Sequence, residues 1–199
     1  MIAVEPQRTA LLVMDYQSEV VAMLGERAAA ALERTGGLIA AARKADVTVI
    51  YVVVAFRPGY PELNQRNASF AAVAQSGRFV LGTAGADVAP ALRAAEGEVV
   101  VVKHRVSAFA GTDLEMVLRA KGIDTLVLCG IATSGVVLST ARHAADADYR
   151  LVIVGDCCAD RDDEVHRVLT EKVFVRQATV TSASDLTAAL QQVQKSVDP

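Results

Sequence analysis

The sequence has little that would mark it for export, for a membrane or for nucleic acid. Only three cysteines occur among its 199 residues, and two of them, Cys157 and Cys158, are adjacent. That is no disulfide framework, and buried free thiols are the expectation. No apolar run approaches the roughly 20 residues needed to cross a bilayer. The opening MIAVEP lacks the basic start and apolar stretch of a secretory leader, so a cytoplasmic protein is expected. Lys and Arg are scattered rather than clustered, and the net charge is −3. Neither nucleic acid nor an anionic membrane is expected as a partner.

What is present is apolar. Hydrophobic residues make up 52% of the chain and charged residues 22%, the profile of a globular protein with a large core. The length suits one domain over residues 1–199, since two would each bury too little. Six short, β-branched apolar segments read as strands: residues 9–14, 48–55, 98–102, 125–129, 150–154 and 178–181. Most are continuously apolar, as expected of parallel strands covered on both faces. Helix-like stretches lie between them at 27–44, 112–121, 134–147 and 163–173. Thr112, with Glu115 three residues on, reads as a capping box. Alternating strands and helices predict an α/β fold, a doubly wound three-layer sandwich. The irregular stretch 57–67, with Pro58, Gly59 and Pro61, reads as a binding loop.

In such sheets the cleft lies at the carboxyl ends of the strands. The first strand ends in Asp15, Tyr16 and Gln17, and the third in Lys103, His104 and Arg105. Neighbouring parallel strands are about 4.8 Å apart, so Lys103 is expected to reach Asp15. The fourth strand runs into a Gly130–Gly135 turn whose amides, with those of the helix behind it, could form an oxyanion hole or bind a carboxylate. This turn matches neither the dinucleotide nor the phosphate-loop glycine pattern, and no cofactor is expected.

Three motifs, LLVMDYQ (11–17), KHRVSAF (103–109) and GIATSGVVLSTAR (130–142), together resemble those of the isochorismatase-like hydrolases, also called the cysteine hydrolase superfamily. The likeness continues through DCCAD (156–160). It implies a Rossmann-like α/β/α sandwich with a six-stranded parallel sheet, assembled as homodimers or larger homo-oligomers and acting on a small molecule. Most such enzymes are amidases with an Asp–Lys–Cys triad. The matching positions are Asp15, Lys103 and Val136, because GIATNVCV of the amidases places its cysteine where this chain has valine.

Valine cannot attack a carbonyl, so the covalent route is closed at that position. Isochorismatases proper also lack the cysteine and cleave a vinyl ether. On that precedent Asp15 is the general acid, which needs a raised pKa, and Lys103 holds Asp15 or the substrate. A close Lys103 would lower that pKa, so burial and substrate charge must oppose it. Where those enzymes read like GVYAH this chain has the amidase-like GIATS, so neither branch supplies the substrate. Ala132, Thr133, Gly135 and Val136 are the expected turn contacts. Gln17, Phe56, Arg57, Tyr60, Arg105 and Phe109 are the expected cleft lining, with Arg57 placed to pair with an acidic substrate.

In the resembled family the nicotinamidase branch holds its metal with an acid and paired histidines after the second strand; here that stretch has Glu62 as its only acid and no histidine, so no metal is expected. His104, His143 and His166 match no compact ligand spacing. Asp156 reads as a cap, and the cysteines as apolar thiols. Three functions compete. One is an acid–base hydrolase of a vinyl ether or related C–O or C–N bond. The others are a non-catalytic binding or assembly module and an amidase using another thiol.

Overall fold

The computed structural model describes residues 4–197. Its centre is a six-stranded, all-parallel sheet of order β3-β2-β1-β4-β5-β6. The strands are β1 (Thr9–Met14), β2 (Thr48–Val54), β3 (Val99–Lys103), β4 (Thr125–Ile131), β5 (Arg150–Ala159) and β6 (Thr179–Thr181). The helices are α1 (Ser18–Leu24), α2 (Glu26–Lys44), α3 (Ala68–Ser76), α4 (Leu114–Ala120), α5 (Leu138–Asp146), α6 (Asp163–Val168) and α7 (Ala183–Val197).

Alternation explains why β1 is apolar throughout. Leu11 and Val13 face one layer with Leu38 and Ile39 of α2 and Leu186 and Leu190 of α7. Ala10, Leu12 and Met14 face the other, with Leu114 and Leu118 of α4 and Ala141 and Ala144 of α5. A third, smaller cluster of Val54, Phe56, Phe70 and Phe79 sits past the end of β2.

Several boundaries differ from the sequence reading. Lys103 lies inside β3, paired with Val54. β4 continues through Gly130 to Ile131, so Gly130 belongs to the strand rather than to the turn. A Cβ there would stand 2.7 Å from the Met14 carbonyl oxygen, and only glycine allows β1 and β4 to come so close. β5 passes through a register shift and resumes pairing at Cys158 and Ala159. Thr112 does not cap the next helix: Asp113 is its N-cap, Thr112 Oγ1 accepts from Leu114 N at 3.3 Å one position earlier, and Glu115 binds Arg119 instead of closing a box. The helices α1, α3 and α7 had no counterpart in the pattern reading.

Candidate active site

Asp15 ends β1 in a left-handed backbone conformation, with φ of 56°, which Asp and Asn tolerate better than most residues. Its amide donates to Val52 O at 2.8 Å. Lys103 does not come from a neighbouring strand, because β2 lies between β1 and β3. Its long side chain spans that gap, and Nζ stands 2.9 Å from Asp15 Oδ2 and 3.1 Å from Arg105 O. Both are buried, Asp15 6% and Lys103 2% exposed. Asp15 Oδ1 is buried without a hydrogen-bond partner among the described residues. Burial raises the Asp15 carboxyl above its ordinary value, against the opposing charge and hydrogen bond of Lys103. Desolvation outweighs the cation, as an acid role for Asp15 requires.

The turn follows β4. Its Ile131–Ala132 peptide is cis, and Gly135 (φ −95°, ψ −105°) interrupts the helical run Thr133–Val137 before α5 begins. Ala132 O accepts from Gly135 N at 3.1 Å and Val137 N at 3.4 Å. Ser134 N donates to Asp160 Oδ2 at 2.6 Å. The amides of Ser134, Gly135 and Val137 are therefore already engaged, so the turn is not the open row of donors expected from its glycines. Thr133 is fully buried, with Oγ1 2.8 Å from His166 Nδ1. Val136 is 2% exposed and packs in the cluster that contains Met14 and Phe109.

The expected lining residues are dispersed into structural roles. Gln17 donates to Val54 O (2.8 Å) and Ala86 O (2.6 Å) and accepts from Val54 N (2.9 Å). Both of its N–H donors are spent on backbone and leave none for Asp15 or a ligand. Arg57 is tied to Glu62 at 2.6 Å, which counters the expectation that it would read an acidic substrate. Phe56 is fully buried among Tyr60, Phe70 and His104, with ring centroids 5.6 to 5.9 Å away. Tyr60 donates to Arg78 O at 2.9 Å. Phe109 stacks on His143 at 4.7 Å. Arg105 is exposed beside Lys103, and its guanidinium donates to His104 O at 2.6 Å.

Asp156 accepts from Ala183 N at 2.8 Å and so caps α7. Cys129, Cys157 and Cys158 are free and buried. Burial lifts the Cys129 thiol well above its usual value and pushes Cys157 to about 11 and Cys158 to about 12. A nucleophilic thiol needs the opposite, exposure and a depressed pKa. No cluster of three or more metal-ligating side chains occurs among the described residues. None of the described helices is long and apolar enough to cross a membrane.

Sequence reasoning did not see that Asp160 and His166 meet the turn. They lie 26 and 33 positions from their partners, and no local pattern records a contact made across two strands.

Comparison with known proteins matches an isochorismatase domain over residues 9–185. The chain is 34% identical over 192 residues to an uncharacterized isochorismatase family protein, YecD, of Escherichia coli O157:H7, covering 96% of this chain and 100% of that one. It is 28% identical over 191 residues to a maleamate amidohydrolase of Pseudomonas putida, covering 94% and 87%. The solved structure of a cysteine hydrolase from Pseudomonas syringae pv. phaseolicola superposes with a TM-score of 0.88 at 25% identity, covering 95% of each chain.

Proposed function

The chain belongs to the isochorismatase family of hydrolases, and from that premise we propose that it hydrolyses a small molecule by Asp15/Lys103 acid–base chemistry without a cysteine nucleophile. The observation that carries this reading is the buried Asp15–Lys103 pair with Asp15 Oδ1 left unpartnered. Because Lys103 donates to Oδ2, an acidic proton on this carboxyl belongs on Oδ1, the oxygen with no other partner. Burial holds that proton on Asp15 at higher pH than an ordinary carboxyl would.

With a vinyl ether, Oδ1–H protonates the alkene carbon and leaves an oxocarbenium ion. Water adds to the cationic carbon as the Asp15 carboxylate takes up its proton. The hemiketal so formed then breaks its C–O bond to release an alcohol and a carbonyl product. No side chain forms a covalent bond in this sequence, which suits valine at 136. Among cations near the site Lys103 is held by Asp15 and Arg57 by Glu62. That leaves exposed Arg105 as the candidate to meet an anionic group on the substrate. The buried, raised-pKa thiols favour this route over an amidase that uses another cysteine.

The test is turnover of isochorismate, simpler vinyl ethers and amides by the purified protein and by Asp15→Asn. Asparagine suits the left-handed backbone at 15 and keeps the side-chain volume, so the fold should survive while turnover falls at least about a hundredfold. Turnover that persists unchanged removes Asp15 from the reaction. An inert wild type that gains amidase activity as Val136→Cys would instead make the protein a binding module on a hydrolase fold.

A further inference from the structure

The turn between β4 and α5 is not held in place by its own chain alone. Its peptides bend away from helix at Gly135, and two of its residues are gripped from outside by the segment that follows β5. Asp160, 7% exposed, accepts from Ser134 N at 2.6 Å with one carboxylate oxygen and from Arg161 N at 2.8 Å with the other. Both of its oxygens are therefore used by backbone amides, and it makes no salt bridge among the described residues. His166, half-buried on α6, meets the buried Thr133 hydroxyl at 2.8 Å. Asp162 fixes the start of α6, accepting from Glu164 N at 2.9 Å and Val165 N at 3.2 Å. The two gripped residues stand two and three positions before Val136.

We infer that Asp160 and His166 are positioning residues: together they clamp the Thr133–Val137 turn and so set where residue 136 stands relative to the Asp15–Lys103 pair. A charge-assisted bond to a backbone amide is among the stronger hydrogen bonds, and a buried carboxylate spent on two amides has an evident purpose in fixing backbone. The clamp joins three parallel strands, because β1 supplies Asp15, β4 the turn, and β5 with its following helix the two gripping side chains. What it would govern in turnover rests on the hydrolase reading above. Its geometry does not.

The experiment is methyl NMR on valine- and leucine-labelled protein, with amide exchange at Ser134, in wild type, Asp160→Ala, Asp160→Asn and His166→Ala. The expected result is displaced Val136 methyl resonances in Asp160→Ala and His166→Ala, with those of Leu126 and Leu151, in the same core near the starts of β4 and β5, unmoved. Ser134 exchange should quicken about tenfold or more in Asp160→Ala, from loss of a bond to a charged acceptor. Asp160→Asn keeps one acceptor oxygen and should displace the Val136 methyls less. If Asp160→Ala does not fold, Asp160→Asn and His166→Ala carry the same comparison. Val136 resonances that stay at the wild-type position in His166→Ala and in the Asp160 variants overturn the clamp. Equal displacement of every methyl also overturns it, by making the effect one of general loosening. In a substrate assay that Asp15→Asn abolishes, the clamp variants should lower kcat with KM little changed. An insensitive Asp15→Asn assay would count against the hydrolase reading alone, and unmoved Val136 methyls against the clamp alone.

Discussion

Among the described residues Lys103 is the cation paired with Asp15, so the two residues are best understood as one buried unit. Removing one partner of such a pair strands the other, which typically costs about 3–5 kcal/mol, whereas removing both costs less. Lys103→Met should therefore destabilise the protein to urea by that order, and adding Asp15→Asn should recover part of the loss. Two losses that simply add would show that the pair is not coupled. The sign of the pH dependence follows from the raised Asp15 carboxyl. The folded state holds this proton more tightly than the unfolded one, whose carboxyl titrates near about 3.9. The stabilising contribution is complete below that value and is lost as pH rises through the higher folded pKa. Urea midpoints of wild type should thus fall, relative to Asp15→Asn, from about pH 4 upward. Since Lys103 pulls that carboxyl down, Lys103→Met should move the basic limb of any Asp15-dependent rate to higher pH.

At the level of elements, the contact between β1 and β4 decides how near Asp15 the turn can lie. Gly130 makes that contact possible, for a Cβ there would stand 2.7 Å from Met14 O and 3.0 Å from Met14 Cβ. Gly130→Ala should push the two strands apart, costing about 1–3 kcal/mol as overpacking. It should also lower turnover more than stability alone explains, measured as kcat per folded molecule. The strands were legible in the sequence because each is a short β-branched run with polar ends. β1 was read residue for residue, at 9–14. α3 (AAVA within its nine residues) and α1 were not, since their short, weakly patterned stretches owe their helicity to packing rather than to propensity. The sequence pattern ends β5 at Val154, because Gly155 and Asp156 look like a strand end, yet the ladder resumes beyond them.

Across the whole molecule, the two layers of helices divide the work. Those on one face, α4 and α5, pack with the site's own strand residues and the turn. The α2–α7 layer touches the turn only through Ile131 and Ala132, and Leu190, 3% exposed, sits away from it beside Val4, Thr9 and Leu11. Leu190→Ala should cost about 2–5 kcal/mol by leaving a cavity. Turnover per folded molecule should be unchanged, and a fall in kcat at temperatures where the protein stays folded would show the layers to be coupled.

Composition and periodicity were enough for the α/β class, the parallel sheet and the ends of the strands where polar residues stop the apolar runs. They also placed Asp15 and Lys103 at strand ends, where the structure brings the two together, whereas valine at 136 took on meaning only through the resemblance of the motif around it. The strand order was not local. Only the folded sheet shows that β2 lies between the strands of Asp15 and Lys103, so that the length of a lysine, rather than adjacency, joins them. Side-chain commitments were hidden for the same reason. Gln17 and Arg57 read as free cleft residues until backbone carbonyls and Glu62 came within hydrogen-bonding distance. Asp160 and His166 were unremarkable until the sheet brought them to the turn. Burial then settled the one opposition the sequence left open. Desolvation depends on everything packed around a carboxyl, and at Asp15 it prevails over the lysine beside it.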